Sequence, residues 1–277
     1  MKGVVAIVDA LGVSMYSIEQ SQKFLTIRNE LISTIERVAG FTSKTLSPKN
    51  YVPKLHTFGD TLVFSWEAAA DDSDDLHGVI WIGTWLRYLM VLGLRKRILF
   101  RGAVAYGEYI SEENTILGPA VADSAAWYSS ANWFGIICAP SMQFMLNAVA
   151  AQAENTSSGS MLAWFLEYQV PLKGREAMKL WTVPWPYDIW AAVSDTSNDK
   201  QKAARDAKSS INSLLQGLPV PKGTEDKYVN SLAYLDYCVR AYTNNDKKIN
   251  DISVYRILEV MKAAERVTAD RPSDNDV

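Results

Sequence analysis

Apolar positions along the chain fall into two textures, one alternating short runs with helical stripes and one helical throughout. Residues Val4–Val8 form a short run of Val, Ala and Ile. In the next stretch, Ile18–Val38, apolar side chains recur at helical spacing (Phe24, Ile27, Leu31, Ile35, Val38), and Gly40 ends it. The pattern predicts a strand feeding a helix. Tyr51–Phe58 and Thr61–Trp66 are β-rich runs separated only by Gly59-Asp60, a two-residue break that predicts an antiparallel hairpin. An acidic loop, DDSDD at 71–75, precedes an apolar helix over 76–94. Strands are predicted at Ile98–Tyr106 and Thr115–Leu117 around a polar turn at 111–114. A helix from Pro119, a strand at Phe134–Cys138, a helix from Ser141 and a strand around Lys179–Val183 follow. Strands interleaved with helices and hairpins predict an α/β (α+β) fold, a mixed sheet with one face covered by helices.

From the proline-punctuated stretch VPWPYD at 183–188 onward the stripes are helical only, at Ala203–Leu215, Lys227–Thr243 and Ile252–Val267, before a polar tail, DRPSDNDV. The chain therefore divides into a sheet unit, 1–185, and a C-terminal helical extension, 186–277, which packs either on that sheet or on a second subunit. The most apolar window, Val79–Leu94, spans 16 residues and contains Arg87, so it reads as a buried helix rather than the roughly 20-residue span of a membrane. The opening MKGVVAIVDA is too soon interrupted by Asp9 to read as a signal peptide, and the expected location is cytoplasmic.

Composition narrows the function classes. A hydrophobic share of 48% with 21% charged residues is that of an ordinary globular chain of 277 residues. The 28 Lys and Arg against 31 Asp and Glu give a net charge of −3, which disfavours sequence-blind binding to nucleic acid. Two cysteines, Cys138 and Cys238, and two histidines, His56 and His77, exclude a disulfide framework and a Cys/His zinc site; both thiols are expected to be reduced and structural. The sequence has no GxSxG elbow, no GxxxxGK[ST] loop, no GxGxxG fingerprint and no HExxH pair.

What remains is a pair of carboxylates at strand rims. Asp9 ends the first strand before the small-residue turn ALGVS, and Asp60 sits at the hairpin tip. If that strand lies beside the hairpin in one sheet, the two side chains converge on one edge and suit Mg²⁺ or Mn²⁺, hard cations that favour carboxylate oxygens and keep positions open for phosphates. Backbone N–H groups of Leu11, Gly12, Val13 and Ser14 would form an anion cradle at the mouth of the next helix. A metal with an amide nest points to a nucleoside triphosphate. The commoner roles of the same residues are Asp9 as a helix N-cap and Asp60 as a turn residue.

The segments VVAIVDALGVS, HTFGDTLVF, RGAVAYGEYI, ILGPAVADSA and VPLKGREAMKLWTV, in this order, resemble class III nucleotidyl cyclase catalytic domains over residues 1–185. The likeness is nearest to the bacterial pyrimidine cyclases of the Pycsar anti-phage type. The resemblance implies a ferredoxin-like mixed sheet and two divalent ions, Mn²⁺ or Mg²⁺, on Asp9, Asp60 and the Ala10 carbonyl. It also implies in-line attack of the ribose 3′-oxygen on the α-phosphorus, and a head-to-tail homodimer. In that dimer Asp9 and Asp60 of one chain face the base-reading positions, His56 and Thr115, of the other. These positions carry neither the Lys/Asp pair of adenylyl enzymes nor the Glu/Cys pair of guanylyl enzymes. His with Thr suits a pyrimidine edge, UTP first and CTP second.

The same resemblance assigns the ribose-orienting Asn and the transition-state Arg to Ala122 and Ala126, which lack the needed groups. The substitute cations are Lys173 and Arg175 in the LKGRE turn and Arg101, with Arg97, around the central strand. The implied partner of the product is a separate cyclic-nucleotide-sensing effector; no nucleic acid and no membrane are expected. Two alternatives stand beside this reading: a catalytically weak or inactive nucleotide-binding module, and an adenylyl or guanylyl cyclase with unusual base readers. Trp81, Trp85, Trp127 and Trp133 are expected in the core or a dimer interface, and LRKRILFR at 94–101 as a solvated helix end.

Overall fold

The computed structural model describes residues 1–13, 16–46, 53–67, 75–154, 164–194, 197, 199–218, 220–244, 255–259 and 261. Its first half is β1 (Lys2–Ala10), α1 (Ile18–Leu46), β2 (Lys54–Phe58), β3 (Thr61–Glu67), α2 (Asp75–Arg95) and β4 (Phe100–Glu108). The strands lie in the order β2-β3-β1-β4, with β1 antiparallel to both neighbours. This is the split βαβ arrangement of ferredoxin-like sheets, as expected. The sheet continues past β4 through β7 (Gly135–Cys138), parallel to β4, then β9 (Met178–Thr182) and the edge strand β8 (Leu166–Val170). A separate hairpin pairs β5 (Ile110–Glu112) with β6 (Thr115–Leu117). The helices α3 (Pro119–Trp127), α4 (Pro140–Glu154), α5 (Tyr187–Ser194), α6 (Lys200–Gln216) and α7 (Glu225–Thr243) complete the elements.

Both faces of β1 are covered, which corrects the expectation of a single helical layer. Val4, Ala6 and Val8 join one large core with Phe24, Leu31 and Ile35 of α1 and with α2. On the alternate face Val5 meets Ala105, Tyr109 and Ala120, the last from α3. Ser124 of α3 ties that helix to the sheet: its hydroxyl accepts from the Ile7 N–H (3.1 Å) and donates to the Ala103 carbonyl (2.8 Å). Gly102, in the RGA segment, is fixed by close approach. A Cβ there would stand 2.5 Å from the Ile7 carbonyl oxygen, against backbone that cannot yield.

Several boundaries differ from the sequence reading. α1 runs through Gly40 to Leu46, because one glycine costs a helix only about 1 kcal/mol, which its packed stripe offsets. Ser111 and Glu112, read as part of a polar turn, lie in β5, and β8 and α5 were not expected. The helix expected at Ile252–Val267 lies mostly outside the described residues, as do Tyr51, Val52, residues 71–74 and the polar tail. Trp85 and Trp133 are buried, and Trp81 and Trp127 pack partly buried against the core. Arg95, Lys96 and Arg97 are exposed at the end of α2, as a solvated helix end requires.

The extension packs on its own sheet. α2 is buried almost all round because α5 and α6 cover the side that the sheet leaves open. A fully buried ion pair joins Arg87 of α2 to Asp188 of α5, Nε to Oδ2, at 2.5 Å. From α7, Ser231 Oγ accepts from the Phe134 N–H (3.0 Å), Asn230 donates to the Asn132 carbonyl (2.8 Å), and the Tyr234 hydroxyl meets Thr182 Oγ1 (2.7 Å). No described helix is long and apolar enough to cross a membrane.

Cys138 in β7 and Cys238 in α7 are both buried and free, and burial pushes both thiols up from the ordinary range. In native buffer at pH 8 neither should react with an aromatic disulfide reagent, whereas both should titrate once the chain is denatured. Rapid native labelling of either would show that its element opens readily.

Candidate active site

The end of β1 is clamped between a hairpin bend and a second helix-bearing strand. Gly59 takes φ +60° and no positive φ occurs at Asp60, the signature of a type II′ turn with glycine at its first central position. The order Gly-Asp is thus the one this bend needs. Thr61 then pairs Asp9 in register, and the Ala10 N–H donates to the Asp60 carbonyl (3.3 Å), so bend and strand end are one structure. Arg28 of α1 donates to the Gly59 carbonyl at 2.5 Å and holds the bend from behind.

Asp9 is half-buried. Its Oδ2 accepts from Arg101 (3.2 Å), which lies opposite it on β4, and its Oδ1 accepts from Thr61 Oγ1 (3.4 Å). Burial, followed by the nearby charge of Asp60, holds the Asp9 carboxyl above the usual carboxylate range, against the pull of Arg101 and Thr61. Asp60 therefore stands near enough to Asp9 for its charge to be felt there. Asp9 is no helix cap. That role at α1 falls to Ser17, whose side chain accepts from the Gln20 N–H (3.2 Å) while Gln20 Oε1 accepts from the Ser17 N–H (2.8 Å), a capping box.

The expected amide cradle is narrower than the sequence suggests. The Leu11 N–H donates to the Leu99 carbonyl (2.8 Å), which extends strand-like pairing past Ala10 and spends that donor. The chain turns at Gly12, with φ +86°, and α1 starts only at Ile18. Gly12 and Val13 remain as described candidates; Ser14 lies outside the described residues.

Of the substitute cations, Lys173 and Arg101 reach this rim and Arg175 does not. Lys173 donates to the Ser129 carbonyl (2.6 Å), and its ammonium is held below the usual lysine range by burial, then by the charges of Arg101 and Lys227, with Asp9 opposing. Arg175 instead stacks over the Trp127 ring at 4.8 Å. Arg97, in the exposed turn just past α2 at φ +64°, lines a cavity together with Leu11 and Gly12 of the turn after Asp9. Ala122 and Ala126 sit one turn apart on the exposed flank of α3. Lys227, in the first turn of α7, was not anticipated; no motif marks it, and only the packing of α7 brings it to the rim.

The proposed base readers stand apart from the aspartates, on the side of the sheet edge. His56 on β2 is two strands from β1, and its Nε2 meets Ser111 Oγ of β5 at 3.1 Å. Burial and the neighbouring Lys54 charge lower its pKa, so the ring is neutral at pH 7 and offers one donor and one acceptor. Thr115, on the adjoining β6, is exposed opposite Glu112. Phe58, Ile110 and Leu117 are exposed on the same elements.

Among the described residues no group of three or more His, Cys, Asp or Glu could hold a metal ion. The groups that could offer oxygens to a cation here are the Asp9 and Asp60 carboxylates, with the Ala10 carbonyl implied by the family resemblance. All three are oxygens, and the carboxylates repel each other, which fits a hard divalent cation whose other ligands come from phosphate and water.

No protein-family model matches the chain, and no curated protein matches it in sequence. Among solved structures it is similar to the catalytic core of a rhodopsin-guanylyl cyclase with converted specificity in complex with ATPαS. That match has 13% identity and a TM-score of 0.43, over 65% of this chain and 93% of that one. It is also similar to a bacterial light-regulated adenylyl cyclase (14%, TM-score 0.38, 66% and 90%). A third is an adenylate/guanylate cyclase/hydrolase from Silicibacter pomeroyi (16%, TM-score 0.36, 66% and 96%).

Proposed function

We propose that the chain is a divalent-metal-dependent nucleotidyl cyclase. Its substrate is a pyrimidine nucleoside triphosphate, UTP before CTP, and its products are the 3′,5′-cyclic monophosphate and pyrophosphate. The carrying observation is the meeting of Asp9 and Asp60 where β1 runs into the hairpin bend, with unlike cations around them. In the reaction the 3′-oxygen forms a bond to the α-phosphorus, the bond to the β-phosphate oxygen breaks, and the hydroxyl proton leaves to solvent. Mg²⁺ or Mn²⁺, when bound, supplies charge neutralisation at the phosphates and acidifies the 3′-hydroxyl.

The protein's part is positioning. Asp9 and Asp60, with the Ala10 carbonyl, hold the cation; Gly12 and Val13 N–H groups face the phosphates; Lys173 and Arg101 balance charge at the rim. Arg101 holds Asp9 in place through its 3.2 Å contact and favours its ionised form against burial and Asp60. His56, neutral and held by Ser111, reads the base together with Thr115, each from the partner of a head-to-tail homodimer. Exposed Phe58, Ile110 and Leu117 on the same elements favour such a contact. The catalytic unit is 1–185 and the extension 186–277. The setting is cytoplasmic anti-phage signalling through a separate cyclic-nucleotide-sensing effector.

A second reading is favoured by Ala122 and Ala126, which present no polar group on α3: a module that binds nucleotide without turning it over. Incubation with Mn²⁺ and each of the four ribonucleoside triphosphates, with products resolved by mass, separates the two. Cyclic UMP or CMP supports the cyclase; binding with no product supports the module; cyclic AMP or GMP alone removes the pyrimidine assignment. On an active enzyme, His56→Lys should shift the ratio of kcat/KM between triphosphates by roughly tenfold or more, the worth of one misplaced charged hydrogen bond. An unchanged ratio removes His56 from base reading.

A further inference from the structure

The rim around Asp9 draws on a side chain from outside the sheet unit. Lys227 of α7 lines a cavity of about 150 Å³ together with Arg97, with Leu11 and Gly12 of the turn after Asp9, and with Leu99 and Phe134, each just ahead of a strand. It is partly buried, and among the described residues no carboxylate lies within ion-pair distance of it. The charge of Arg101 acts on it, and its own charge acts on Lys173. Lys227 and Arg97 thus face one cavity beside the turn after Asp9, while Arg101 of β4 and Lys173 of the β8–β9 connection stand near enough to Lys227 for charge to be felt between them. Arg101 alone among them has a salt bridge to a described carboxylate, Asp9.

Holding the Lys227 ammonium near other cations in a partly desolvated place costs free energy that an anion would offset. The Asp9 carboxylate is already engaged by Arg101 and Thr61, and a chain of phosphates would bring several negative charges. We propose that Lys227 binds the β- and γ-phosphates of the nucleotide, so that the helical extension forms part of the site and supplies charge that α3 lacks at Ala122 and Ala126. The identity of the ligand rests on the cyclase reading; the anion-binding role of Lys227 rests on the rim alone.

Inorganic tripolyphosphate with Mn²⁺, titrated calorimetrically into the full chain, reads the role without catalysis. Lys227→Met keeps the aliphatic stem and should weaken binding by roughly tenfold or more, the loss of one charge-assisted contact. Lys227→Arg should stay within about threefold of wild type on the same scale. Lys222→Met, an exposed lysine on the loop ahead of α7, should change nothing. If Lys227→Met melts below wild type, Lys227→Gln is read in its place. Wild-type tripolyphosphate affinity in a folded Lys227→Met or Lys227→Gln protein, or an equal loss in Lys222→Met, overturns the proposal. The two readings fail separately. Lys227-dependent tripolyphosphate binding with no cyclic product from any triphosphate ends the cyclase and leaves this role. Turnover with KM unchanged in Lys227→Met ends this role and leaves the cyclase.

Discussion

Asp60→Asn should leave the melting curve in place and reduce cyclic product formation by on the order of 10²–10³-fold or more, the usual penalty for losing one preorganised charge. The stability half of this expectation follows from the bend. Gly59 carries the positive φ, and the Asp60 backbone carbonyl, which asparagine keeps, accepts from Ala10. The Asp60 side chain makes no hydrogen bond to another described residue, and its charge raises the Asp9 pKa. Circular dichroism melts and mass-resolved product from UTP and Mn²⁺ check both halves. Turnover at the wild-type rate would remove Asp60 from the chemistry, and a large fall in melting temperature would show that its role is in the fold.

The sheet was legible because its strongest signals are local. Val4–Val8 is apolar throughout, as a strand buried on both faces must be, and two residues separate the hairpin arms. Elements whose order comes from elsewhere stayed hidden. β8 alternates Glu167 and Gln169 with apolar residues and sits at the sheet edge, where polar side chains reach water. α5 follows Pro184 and Pro186, which read as a boundary although proline sits comfortably just ahead of a helix. The single-layer expectation failed because Val5 and Ala105 are small or slender enough for α3 to lie on them, and residue spacing does not report what covers a face. At the site, Asp9 and Asp60 could be found from their strand and turn settings. Lys227 could not, since it is one of the chain's many lysines and lies on a helix whose docking is set by Ser231, Tyr234 and Asn230, residues with no signature of their own.

That docking makes the buried ion pair between α2 and α5 a test of the whole arrangement. Asp188→Asn should destabilise the chain by about 3–5 kcal/mol, because it takes the Asp188 charge away from a fully buried guanidinium. Against a net stability of about 5–15 kcal/mol for a typical domain, that is a large share. Replacing both members with apolar residues of similar size, Arg87→Met with Asp188→Leu, should recover most of the loss, since the pair's desolvation cost then disappears with it. Urea melts followed by tryptophan fluorescence and by far-ultraviolet dichroism measure both variants. Coincident transitions are expected, because α2, α5 and the sheet share one core. A loss below about 1 kcal/mol in Asp188→Asn would mean that the pair does not hold the extension. Separate transitions would mean that α7 can leave the sheet while the sheet stays folded, and Lys227 would then leave the Asp9 rim with it.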